Sequence, residues 1–270
     1  VGPFLENDLP FFIDGTYPGC IERSKVIPLR FAEDRTEAGV TMLTRDLLNW
    51  RTHIQYRKIT NLQGVHQSRV SLSLRYYLIY KPYQVLTRFG REGNKASLAD
   101  HFAVPRDVYP VGRLDYDSEG LLILTNDKAL NHRLLNPRFA HEREYWVQVD
   151  GAITPAALVQ LEQGVQITVD GKPYRTKRCR AALFDTEPPV PPRIPPIRFR
   201  KQIPAPWVRL TLQEGKNRQV RKMTAAAGYP TLRLIRYSIA GAALDGLQPG
   251  DMRELGREEL YGKLFGKGEK

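Results

Sequence analysis

The hydrophobic pattern divides the chain at about residue 75. Over residues 1–74 no period of 2 or 3.6 is sustained, because Gly, Pro, Thr and single charges interrupt each apolar cluster. Only TMLTRDLLNW (41–50) has the spacing of a short helix, and residues 1–74 read as an N-terminal extension of low order with no assignable function. Beyond it the signals sharpen. YYLIY (76–80) is strand-like and stops at Lys-Pro-Tyr, and ASLADHFAV (96–104) is spaced as a short helix. LLILT (121–125) is wholly apolar and short, as a buried strand is. Asn126 or Asp127 then caps a helix running to about Leu135, which Pro137 stops.

YWVQV (145–149) predicts the next strand. TPAALVQLEQG (154–164) has a Thr cap, a Pro at the first helical position and a closing Gly. VQITVDGKPY predicts a hairpin turning at Asp170-Gly171, continued by RTKRCRAALF. Residues 188–206 hold eight of the twenty prolines together with Arg193, Arg198, Arg200 and Lys201. So much proline excludes a central strand and predicts an extended basic arm, either an inert connector or an RNA contact. VRLTL (strand), NRQVRKMTAAAG (helix closed by Gly228), LRLIRYSI (strand) and a terminal helix near REELYGKLF complete the order. Strands and helices mix without strict βαβ alternation and without an internal repeat. The predicted class is α+β, a mixed and largely antiparallel sheet flanked by helices, in one domain over residues 75–270.

Charge changes this picture more than composition does. The chain carries a formal +12, and the excess is uneven: 9 Lys/Arg against 8 Asp/Glu over residues 1–74, but 32 against 21 over residues 75–270. A basic domain beside a nearly neutral segment fits a polyanionic partner, although a merely soluble basic surface would look the same. Cys20 and Cys179 lie too far apart in sequence to suggest a disulfide framework or a zinc site, and they fit a reducing cytosol. The five histidines form no paired-ligand pattern. No run of about 18 apolar residues and no basic-then-apolar leader is present, so a soluble chain that is not obviously secreted is expected; a cytoplasmic location and a monomer are further expectations.

The densest chemistry lies in GRLDYDSEGLLILTND (112–127), where Arg113, Asp115, Asp117 and Glu119 directly precede the apolar run. As a calcium loop it fails, because the twelfth position, which needs a bidentate Glu, is Asn126 and no helix precedes or follows at once. Asp115 and Asp117, two apart on an extended segment, share a face as a glycosidase acid and base might. Alternatively one carboxylate works, Arg113 and Glu119 make local ion pairs, and the buried strand roots the turn rigidly enough for catalysis. A second cluster, EGKNRQVRKMTAAAGYPTLRLIR (214–236), places Arg218, Arg221 and Lys222 near the start of a helix. An arginine there can hold a carboxylate ionised through a bidentate pair, and the other cations can meet phosphates. In the strand at 145–149 Tyr145 and Trp146 face opposite ways, so at most one enters a cleft.

These stretches resemble a known family. GRLDYDSEGLLILTND is similar to the second motif of the RsuA-type pseudouridine synthases, EREYWVQVDG to their Tyr-containing strand, and the 214–236 stretch to their third motif; the resemblance spans about residues 75–255. It implies a pseudouridine synthase catalytic fold that isomerises one uridine of large-subunit ribosomal RNA, with neither cofactor nor metal. It further implies that Asp115 is the single catalytic aspartate and Arg113 its adjoining motif arginine. Tyr145 is then the active-site tyrosine, Arg221 the arginine paired with Asp115, Arg218 a neighbouring substrate contact, and Leu234 an apolar wall of the pocket. Two departures stand out: Arg143 replaces the usual Lys two before the tyrosine, and residues 1–74 contain no counterpart of an RNA-binding S4 domain. A non-catalytic RNA-binding or ribosome-assembly protein remains the alternative.

Overall fold

A computed structural model describes residues 73–198 and 200–266. The extension, its expected low order and the predicted helix at 41–50 lie outside the described residues. In chain order the elements are β1 (Tyr76–Lys81), β2 (Val85–Leu86), β3 (Ala96–Ser97), β4 (Tyr109–Pro110), β5 (Glu119–Thr125), α1 (Lys128–Leu135), β6 (Arg143–Val149), α2 (Pro155–Gln163) and β7 (Gln166–Val169). They continue with β8 (Lys172–Arg175), β9 (Arg180–Leu183), β10 (Trp207–Leu212), α3 (Gln219–Ala226), β11 (Thr231–Ile239), β12 (Ala242–Ala243), β13 (Met252–Leu255) and α4 (Arg257–Phe265). The main sheet runs β13-β1-β5-β11-β6-β10-β9, with β12 beside β11 and β4 beside β5. Within it only β5 and β11 pair in parallel, so the sheet is mixed and mostly antiparallel, as the pattern predicted. Among the described residues no helix is long and apolar enough to cross a membrane.

Burial explains why β1 and β5 read as continuous apolar runs: the sheet is covered on both faces at this point. Tyr76, Leu78, Tyr80, Leu121 and Ile123 pack with Leu130 and Leu134 of α1 and Leu260 and Leu264 of α4. The alternate residues Tyr77, Ile79, Leu122 and Leu124 pack on the opposite side with Val85, Leu98 and Phe102. A third cluster joins β6 and β10 to α2 and α3 through Val147, Leu210, Leu161, Val220 and Met223.

Local signals are met where chemistry close in sequence decides. Asp127, not Asn126, caps α1, accepting from Ala129 N at 2.9 Å and Leu130 N at 3.1 Å. It also accepts from the Tyr76 and Tyr261 hydroxyls, at 2.9 and 3.0 Å, so the cap is tied to both β1 and α4. The hairpin turns at Asp170 and Gly171, with φ of 50° and 76°, the left-handed pair that suits a tight two-residue turn. The expected helix over 96–104 is instead a β-pair followed by one 3-10 turn, Leu98–Asp100. Asp100 accepts from both the backbone N–H and the hydroxyl of Ser97, at 2.8 and 2.9 Å, and closes that turn locally. β13 was not anticipated; MREL has no usable period, and it is a strand because the edge of β1 pairs with it.

Topology positions the site. Gly120 of β5 lies beside Arg236 of β11, which in turn faces Tyr145 of β6. Three residues far apart in sequence thus form one row across the sheet, at the end where the 112–118 loop enters β5. Gly120, at φ 114°, allows that close approach: a Cβ there would lie 2.3 Å from the Arg236 carbonyl oxygen.

Candidate active site

The loop before β5 is held mainly through its own backbone. The Arg113 carbonyl accepts from Arg236 Nη1 at 3.4 Å, and the Leu114 carbonyl from the Thr87 hydroxyl at 2.7 Å. The Asp115 carbonyl accepts from Ser118 N at 3.0 Å, and the Tyr116 carbonyl from Gln84 N at 2.9 Å. The Asp117 carbonyl accepts from Arg221 Nη2. Five consecutive carbonyls are therefore satisfied, four of them by residues from other parts of the chain.

Asp117 is an anchor. Both its oxygens accept from Arg218, each at 2.8 Å, and Arg221 Nε lies 3.3 Å away. Partial burial raises the Asp117 carboxyl, but the Arg218 hydrogen bonds and the charges of Arg221 and Arg218 outweigh it, leaving it below its usual range. Glu119 does not make the local ion pair expected for it. It forms a two-bond pair with Arg233 of β11, at 2.9 and 2.8 Å, with side chains only 2% and 6% exposed. Among the described residues Arg113 makes no local ion pair either; its backbone carbonyl serves the loop while its side chain lines the cleft.

Asp115 is left. Among the described residues its carboxylate accepts no hydrogen bond, and its ion-pair partner is Arg218 Nη1 at 3.6 Å. This corrects the expected pairing with Arg221, which instead meets Asp117. The reason is the start of α3: Arg218 is not on the helix but precedes it in a left-handed conformation, φ 52° and ψ 32°. That conformation turns its guanidinium across the loop, whereas Arg221, one turn in, sits behind it and is largely buried. Burial lowers the Arg221 guanidinium below its usual value, opposed chiefly by the Asp117 charge.

Asp115, Arg113, Tyr145, Arg218 and Leu234 line one cleft of about 480 Å³. Tyr145 enters it from β6. Trp146 turns the other way, stacked on Tyr237 with ring centroids 4.0 Å apart, so only the tyrosine faces the cleft. Leu234 is 5% exposed and packs with the cluster under α3, which makes it a rigid wall. Leu134, Leu135, Pro137 and Ala140 line the cleft beside Asn136, His141 and Arg143, and Tyr174, Lys177, Lys216 and Asn217 line it as well. Glu214 ties part of this lining together, accepting from the Tyr174 hydroxyl at 2.6 Å, Lys177 N at 2.9 Å and Gln219 Nε2 at 2.6 Å.

Several residues escaped sequence reasoning. Arg236 is buried and donates from Nε to the Leu121 carbonyl at 2.9 Å, with the Tyr145 side chain beside it. The available signal was a pair of arginines inside the apolar strand LRLIRYSI. Lys81 is fully buried and donates to the Pro82 and Val85 carbonyls at 2.9 and 2.7 Å. Burial pushes it down to about 7, against the raising effect of Glu119, Asp117 and Asp115. The proline-rich arm is tethered rather than free: Pro191 O accepts from Arg233 at 2.9 Å, Arg193 lies over the Tyr83 ring, and Arg200 pairs with Asp150 at 2.9 Å. Arg198 and Lys201 on it are exposed.

Residues 75–226 match the family model described as RNA pseudouridylate synthase. The chain is 48% identical over 174 residues to the ribosomal large subunit pseudouridine synthase E of Xanthomonas axonopodis pv. citri, covering 64% of this chain and 89% of that protein. It is 45% identical over 192 residues to the protein of the same name from Vibrio vulnificus, covering 70% and 80%. A solved pseudouridylate synthase has a similar fold, with a TM-score of 0.57 at 25% identity over 71% of this chain and 74% of that one.

Proposed function

The chain belongs to the RNA pseudouridine synthase family, and from that premise we propose that it isomerises one uridine of large-subunit ribosomal RNA with Asp115 as the catalytic residue. The observation that carries this reading is the division of labour among three carboxylates. Glu119 and Asp117 are consumed by bidentate arginine pairs, while Asp115 faces the cleft with no hydrogen bond on its carboxylate. A carboxylate left unsatisfied beside a cation is available for chemistry, and one already saturated is not. The same division argues against a glycosidase pair. An acid partner needs a raised carboxyl, and Asp117 is shifted the other way.

The reaction conserves atoms and electrons. The bond from N1 to C1′ breaks, the detached base turns, C5 bonds to C1′, the C5 proton leaves and N1 gains one. Asp115 acts on the sugar, at C1′ itself or at the neighbouring 2′ proton. Arg218 sets a positive charge beside it, with Nη1 3.6 Å from the carboxylate. Tyr145 stacks on the base and assists removal of the C5 proton, and Leu234 and Arg113 close the pocket around it. The base has to leave its stack to be handled this way, so a flipped uridine in a basic cleft is the bound form. The large-subunit substrate is supported by the names of the two relatives. The two well-separated cysteines fit a cytoplasmic enzyme.

The test uses one ribosomal RNA and two measurements, pseudouridine formed per enzyme and the dissociation constant at fixed salt. Asp115→Asn keeps shape and removes charge. Turnover should vanish, because an amide is neither a comparable nucleophile nor a base. Affinity should hold or tighten slightly as a repulsive charge leaves the RNA path. Persistent turnover would remove Asp115 from the mechanism. A wild-type protein that binds without forming pseudouridine would leave the non-catalytic RNA-binding alternative.

A further inference from the structure

Catalysis requires a reacting side chain to be held within roughly 0.5 Å and 10–20° of its working geometry. Among the described residues the Asp115 carboxylate has no hydrogen bond and one ion-pair contact, to Arg218 at 3.6 Å, so its orientation depends chiefly on the backbone on either side. That backbone is held by a segment some 30 residues earlier. The Thr87 hydroxyl donates to the Leu114 carbonyl at 2.7 Å and accepts from the Leu114 N–H at 3.1 Å. One side chain thus satisfies both polar groups of the residue directly before Asp115. On the other flank the Gln84 N–H donates to the Tyr116 carbonyl at 2.9 Å.

The holding segment is itself fixed. Lys81 Nζ bonds the Pro82 and Val85 carbonyls and shapes the turn from below. Val85 is buried in the core beneath β1 and β5, and β2 pairs with β3 just before Thr87. Just after Thr87, the Arg88 carbonyl accepts from Leu98 N at 2.9 Å. A hydroxyl mounted on so constrained a segment sets the Leu114 peptide rather than follows it.

We infer that Thr87 is a positioning residue for Asp115, an inference that rests on Asp115 being the catalytic residue. Its contribution comes from the hydroxyl and not from its bulk. Valine has the same shape and neither bond, whereas serine keeps both bonds and loses a methyl.

The experiment compares Thr87→Val, Thr87→Ser and Asp115→Asn with wild-type full-length protein on ribosomal RNA. Thr87→Val should lower kcat by about ten- to a hundredfold, the scale of a displacement of about 1 Å at a reacting group. The dissociation constant for the RNA at fixed salt should stay within about twofold, since no RNA contact is altered. Thr87→Ser should recover most of the wild-type kcat, and urea titrations should show every variant folded under the assay conditions, Thr87→Val included despite the cost of each buried polar group it leaves unpaired. The inference is overturned if Thr87→Val turns over at the wild-type rate. It is also overturned if serine is as damaging as valine, or if the loss is accounted for by weaker RNA binding or a larger unfolded fraction. Asp115→Asn separates the two readings: full activity in that variant sinks the assignment of Asp115, whereas an inactive Asp115→Asn beside a fully active Thr87→Val sinks only the role of Thr87.

Discussion

Removing one partner of the Glu119–Arg233 pair should destabilise the whole domain. The two side chains are 2% and 6% exposed and share two hydrogen bonds, at 2.9 and 2.8 Å. Glu119→Gln removes the negative charge and leaves a guanidinium buried between β5, β11 and the Pro191 carbonyl. Breaking a buried pair in this way costs about 3–5 kcal/mol, because an uncompensated charge stays behind. For a domain of this size each kcal/mol lowers Tm by about 2–4 °C, so a fall of about 6–20 °C is expected. Arg233→Met should cost a similar amount, leaving the Glu119 carboxylate alone and also releasing Pro191. The double variant Glu119→Gln/Arg233→Met removes both charges and should be more stable than the sum of the singles by about 2 kcal/mol. Arg75–Glu254 serves as a control, since its partners are 44% and 51% exposed and such a pair is worth only about 0–1 kcal/mol. Urea and thermal denaturation followed by far-ultraviolet circular dichroism give the free energies and the Tm values. Single variants within about 1 kcal/mol of wild type, with no coupling between them, would refute the reasoning.

Three further outcomes are expected. Gly120→Ala should cost about 2–6 kcal/mol or abolish soluble expression, since it combines a left-handed φ with a Cβ 2.3 Å from a backbone oxygen; a Tm within 3 °C of wild type would contradict the close approach. Arg218→Lys should lose at least about tenfold in turnover while retaining its charge, because an ammonium cannot reproduce the fork that grips Asp117 beside Asp115; equal turnover would reduce Arg218 to a phosphate contact. Lys81 sits at about 7 in the fold and near 10.4 when unfolded, so between these values the unfolded chain binds more protons and stability rises with pH. The stability of wild type relative to Lys81→Met should therefore increase from pH 7 to pH 10, and a flat difference in urea titrations would show that the amine is not held neutral.

The sequence by itself determined what depends on neighbours a few residues away. Asp127 caps α1 and Thr154 caps α2 because a short oxygen-bearing side chain reaches N–H groups two or three residues on. Asp170-Gly171 turns because those residues tolerate positive φ. The order of loop, buried strand, tyrosine strand and arginine-rich segment was legible, and with it the family and part of the cleft lining: Arg113, Asp115, Tyr145, Arg218 and Leu234. Which charge meets which was not. Arg218 and Arg221 lie about a hundred residues from Asp115 and Asp117, and their three-residue spacing is compatible with either carboxylate. The choice is made by the left-handed Arg218 and by the depth at which α3 packs on β11. Glu119 finds Arg233, and Gly120 finds Arg236, only because β5 lies parallel to β11 in the centre of the sheet. Thr87 finds Leu114 only because the segment after β1 folds back beneath the loop. These pairings have no local signal: they follow from strand order, register and loop packing, which the whole domain sets, and together they leave Asp115 as the carboxylate of the 113–119 stretch without a structural partner of its own.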